Sequence, residues 1–161
     1  MLTRRDSKEG KKVPHVQCPC WEVGAPRSFP AFLRSLAPLF PDNAVLYFEG
    51  GDTTPEIRSY LEARKAEEKF KIPGGTIWPS PETFHMPLTG ANLEGLAALL
   101  EKKLVPDVCE HVHVYSGTVV LLQWYDASAG DPILISKGIP EERVKVFCDA
   151  LHVAYRESTV K

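Results

Sequence analysis

Two histidines one residue apart, His111 and His113, have a spacing that could do chemistry. Side chains two apart on an extended strand point to the same face, so both imidazoles would be presented together. Imidazole nitrogens suit zinc and similar divalent ions, and they also move protons near neutral pH. A metal would need further donors. Cys109 and His85 are candidates, with a carboxylate such as Glu110 or Asp126 behind them. Glu110 alternates onto the opposite face of the same strand, which weakens its case. The plainer reading is a half-exposed strand face that packs or meets a partner.

Three other groupings stand out. Cys18-Pro19-Cys20 sets two thiols close together, yet structural zinc sites space their cysteines by two to four residues and a matching second pair is absent. Reduced thiols beside a proline-rich turn explain it more simply. Glu49-Gly50-Gly51-Asp52-Thr53-Thr54 precedes a helix start, the usual place for phosphate capture. It lacks the Gly-Lys-Ser/Thr ending, and its carboxylates would repel phosphate, so helix capping accounts for it better than an ion between Glu49 and Asp52. Trp78, set between prolines, is a candidate aromatic anchor for a partner. No nucleophile elbow, zinc-protease helix or dinucleotide fingerprint occurs.

The elements that must position these residues are clearer in the second half. Eleven of the 14 prolines fall at or before Pro87, which predicts short elements between stiff turns there. Phe29, Phe32, Leu33, Leu36 and Phe40 predict a short helix limited by Pro38. Val45–Phe48 predicts a strand buried on both faces, followed by a helix with Pro55 in its first turn. Short extended pieces are expected at 76–78 and 83–88. Leu93, Leu96, Ala97, Leu100 and Leu104 predict an amphipathic helix capped by Thr89 or Asn92. Residues 108–115 and 118–126 read as a hairpin around Ser116-Gly117, with a third strand at 132–136. A last helix starts at Pro140 and presents Val144, Phe147, Cys148, Leu151 and Tyr155 inward.

That hairpin predicts a register. Tyr115 would face Thr118, His113 would face Val120, His111 would face Leu122, and Cys109 would face Trp124. Val112, Val114, Val119 and Leu121 would form the opposite, core-facing side. The expected contact face is therefore His111, His113, Tyr115, Leu122 and Trp124, with Trp78 as a separate candidate anchor.

Composition bounds the rest. The chain has 161 residues, 43% hydrophobic and 25% charged, enough to bury a core in one domain without disulfides. Its net charge is −2, but residues 1–12 carry Arg4, Arg5, Lys8, Lys11 and Lys12 against Asp6 and Glu9, which leaves an acidic body. An acidic body argues against nucleic acid as a partner. No apolar run is long enough to span a membrane, and the N-terminus has no secretory core, so a cytoplasmic protein with reduced thiols is expected.

The expected fold is α+β: one domain over 28–161, with a mixed, largely antiparallel sheet, a C-terminal three-strand meander and about four helices. Residues 1–27 are expected to be a loosely ordered basic arm. The expected function is a small non-catalytic domain that binds another protein, as an inhibitor, immunity-type factor or accessory subunit, with no cofactor. The alternative is a small metal-dependent hydrolase or small-ligand binder on the His111/His113 face, with zinc or a similar ion held by His111, His113, His85 and Cys109.

Overall fold

A computed structural model describes residues 15–50, 54–67, 82–101 and 109–159. Seven strands form one sheet in the order β3-β2-β4-β5-β6-β1-β7. The strands are β1 (Cys20–Val23), β2 (Val45–Gly50), β3 (Glu82–Pro87), β4 (Cys109–Ser116), β5 (Val119–Trp124), β6 (Ile133–Ser136) and β7 (Tyr155–Ser158). Every described pairing is antiparallel, so the sheet is not mixed, and β4-β5-β6 is the expected meander.

Among the described residues four α-helices accompany it: α1 (Phe29–Arg34), α2 (Pro55–Ala63), α3 (Gly90–Leu100) and α4 (Glu141–Leu151). Short polar side chains start three of them. Ser28 Oγ accepts from Ala31 N–H, Thr54 Oγ1 from Ile57 N–H, and Thr89 Oγ1 from Asn92 N–H. Pro140 begins α4, with Glu141 and Glu142 at its positive end. Pro38 converts the end of the first helical run into a single 3₁₀ turn, Ala37–Leu39.

One apolar core joins all four helices to one face of the sheet. Phe32, Leu33, Ile57, Leu61, Leu96 and Phe147 meet Leu46, Phe48, Val112, Val114, Leu122 and Trp124 there. Phe32 sits at its centre, with ring centroids 5.0 Å from Trp124 and 5.6 Å from Phe29. Across the helical layer, Arg34 pairs with Glu94 at 2.8 Å and with Glu101 at 2.7 Å.

Two expectations need correction. Residues 20–23 are not part of a loose arm: β1 lies inside the sheet, hydrogen-bonded to both β6 and β7. Residues 1–14 lie outside the described residues. Tyr155 does not belong to the last helix, because His152 closes α4 in the left-handed region (φ 55) and the chain turns back as β7. The pieces expected at 76–78 lie outside the described residues, as does Leu104.

Gly95 of α3 gives this packing a sharp test. A methyl group there would penetrate the ring of Tyr60, whose hydroxyl donates to Asn92 O at 2.8 Å. Gly95→Ala is expected to destabilise by about 1–2 kcal/mol in urea denaturation, although alanine favours helices by about 1 kcal/mol. In a Tyr60→Ala background the same change should stabilise. Stabilisation in the wild-type background would contradict this packing.

Candidate functional site

The second face of the sheet carries the candidate residues, and its membership differs from the sequence expectation. Ser116 pairs with Val119, so Gly117 and Thr118 form the turn rather than Ser116 and Gly117. Tyr115 then pairs with Val120 but Val114 pairs with Leu122, which leaves Leu121 as an extra residue in β5. This bulge resets the alternation. Val112 faces Trp124 and His113 faces Gln123. Leu122 and Trp124 therefore join the helix-side core, where the Trp124 indole donates to Asp131 O at 2.8 Å. They do not share a face with the histidines. Val119, expected in the core, is 55% exposed.

His111, His113 and Tyr115 do share a face, as expected, and β2 and β3 extend it. Tyr47 pairs with His113 on one side and His85 on the other, while Glu49 pairs with His111. The result is a belt of rings. Tyr47 stacks parallel to His113 at 5.6 Å, and His85 lies 5.0 Å from Tyr47 and 5.7 Å from Tyr115. Tyr125 meets His111 at 5.2 Å and His113 at 4.9 Å edge to face. At the other end of this face, Val16 and Cys20 pack with Val120, and the Val16 amide donates to Gln123 Oε1 at 2.8 Å.

The polar atoms of this belt are buried: Glu49 is 0% exposed, His113 2%, His111 5% and His85 6%. Glu49 Oε1 accepts from Tyr47 Oη at 3.0 Å. His85 Nδ1 and Tyr115 Oη share a hydrogen bond of 2.7 Å. His111 Nδ1 accepts the Asp126 backbone N–H at 3.0 Å. A backbone N–H can only donate, so the ring proton sits on Nε2, which faces Glu49 Oε2 at 3.8 Å.

His113 differs from its neighbours. Among the described residues, neither ring nitrogen has a hydrogen-bond partner. Burial, and secondly the neighbouring His111, push its pKa down to about 4, so the ring is neutral near pH 7. The backbone of Val112 opposes this weakly, without hydrogen-bond geometry to either ring nitrogen. Most buried polar side-chain atoms find a partner, and one that does not costs about 1–3 kcal/mol.

Next to this row the face opens. A cavity of about 700 Å³ is lined by Val45, Pro87 and Tyr115, with Lys65, Glu67, Asn43 and Thr118 among its other walls. Val45, Tyr115 and Pro87 form the cross-strand row immediately beside Tyr47, His113 and His85. No family model, no curated protein and no solved structure matches the chain.

Among the described residues, no three histidine, cysteine or carboxylate side chains come together as metal ligands. His111 already spends Nδ1 on a backbone donor and turns a protonated Nε2 towards Glu49, which removes it as a ready donor. The Cys109 side chain lies outside the described residues, as do Asp52 and Trp78. Tyr47, Gln123 and Tyr125 were not singled out as site residues from the sequence, and Glu49 only as one side of an ion site with Asp52. Alternation within Val45–Gly50 marks Tyr47 and Glu49 as face-sharers, but nothing local says which strands flank them.

The neutral imidazole has a measurable consequence. An unfolded histidine titrates near 6.5 and folded His113 near 4, so the unfolded chain takes up the proton first as pH falls. Stability present above pH ~6.5 should be lost progressively towards pH ~4, by about 3 kcal/mol in total from this group. Urea denaturation of wild type and His113→Phe across that range should show the variant escaping this loss. Equal losses in both would contradict a neutral, desolvated His113.

Proposed function

We propose that the protein is a non-catalytic binding protein whose histidine–tyrosine face takes a small, neutral, hydrogen-bonding molecule with a planar part. What carries this reading is the cavity walled by Tyr115, Val45 and Pro87, with the buried imidazole of His113, which has no partner among the described residues, one cross-strand row behind that wall. A neutral imidazole offers one donor and one acceptor, which fits a carboxamide, a hydroxyl or the edge of a heterocycle. The walls beside it, Val45, Tyr115 and Pro87, are apolar or aromatic and suit a flat ring.

A thermal-shift screen of small planar amides and heterocycles tests this. Binders should raise the wild-type midpoint, and their effect should fall at least tenfold in apparent affinity in His113→Phe and Tyr115→Ala. They should bind Val146→Asp, on the far side of the molecule, as well as wild type. Binders that ignore both face substitutions would overturn the reading.

Binding to another protein is a second proposal and rests on a different face. Val146 is 63% exposed and, with Phe147, Pro38 and Leu39, lines a largely apolar groove of about 440 Å³ between the 3₁₀ turn and α4. Arg143 and Glu142 edge it, which is the polar-rim arrangement of partner contacts. Buried as they are, the imidazoles of the candidate face do not themselves offer such a contact area.

A further inference from the structure

The thiols of Cys18 and Cys20 lie 3.8 Å apart, sulfur to sulfur, close enough for an S–H···S contact. They differ in access: Cys18 is half-buried, whereas Cys20 is 0% exposed and packs with Val16 and Val120. Both sit where the segment crossing β5 enters β1, next to the Val16 amide that bonds Gln123. Cys148, by contrast, is buried within the helix-side core.

We propose that Cys18 and Cys20 are a dithiol modification site that closes to an intramolecular disulfide by exchange with a low-molecular-weight disulfide. Cys18 is the thiol that reacts first, because it alone of the two reaches solvent. Its thiolate attacks one sulfur of the small disulfide, and the other leaves as a thiolate, giving a mixed disulfide on Cys18. Cys20 then loses its proton to solvent and attacks the Cys18 sulfur, expelling the second small thiolate. Two protein thiols are oxidised, one small disulfide is reduced to two thiols, and the two protons released from the cysteines balance the charge. Burial, then the Cys18 thiol beside it, pushes the Cys20 thiol up to about 11. The second step therefore accelerates with rising pH. The inference is independent of the ligand proposed above.

The test incubates the full chain with oxidised glutathione and follows it by mass spectrometry and peptide mapping. The expected product is a monomer lighter by two hydrogens, with a Cys18–Cys20 link, reached through a transient glutathione adduct on Cys18. Cys20→Ser should stop at the stable adduct, Cys18→Ser should form none at Cys20, and Cys148→Ser should behave as wild type. If Cys20→Ser does not fold, the wild-type map and Cys18→Ser decide alone. A persistent wild-type adduct, a link through Cys109 or Cys148, or a link between chains would overturn the proposal.

Discussion

The pleat of β4 is the constraint on which the rest depends. Val112 and Val114 must lie under the helices, where both are fully buried in the main core. Alternation then forces His111, His113 and Tyr115 to the other side, whatever the cost of desolvating them. The neighbouring strand β2 obeys the same rule, with Leu46 and Phe48 inward and Tyr47 and Glu49 outward. Stability and the candidate site are thus two faces of the same few strands.

Hydrogen bonds offset most of that desolvation. Glu49 holds the Tyr47 hydroxyl, His85 holds Tyr115, and His111 is fixed by a backbone amide. Each ring is also braced by another at 4.9–5.7 Å, so the belt has little freedom to rotate. His113 is braced by Tyr47 and Tyr125, and neither of its nitrogens finds a partner among the described residues. A rigid, dry group with free hydrogen-bonding capacity loses little on meeting a complementary ligand, which is the physical meaning of preorganisation. The same group is a liability to the empty fold, a trade often made at functional sites.

Much of the fold was legible where periodicity was strong. The spacing of Leu93, Leu96 and Leu100 identified α3, and the valines of 112–114 identified the core side of β4. The α+β class and the meander followed from the order of such segments. Four-residue β1 was missed because Cys-Trp-Glu-Val is too short to show a pattern, and β7 because Tyr155 continued a helical spacing past His152. For the site, His85, His111, His113 and Tyr115 were found by residue type. The error at Leu122 and Trp124 came from a single extra residue, Leu121, since one position is enough to exchange the faces of a strand. Tyr47, Glu49 and Tyr125 needed the sheet order, which is a tertiary fact.

His113 is a neutral, desolvated imidazole whose ring nitrogens have no hydrogen-bond partner among the described residues. Long-range proton–nitrogen NMR of the histidine rings at roughly pH 5.5, midway between an ordinary histidine and His113, tests it most directly. His113 is expected to remain neutral there. A His113 ring that is charged at that pH would contradict it.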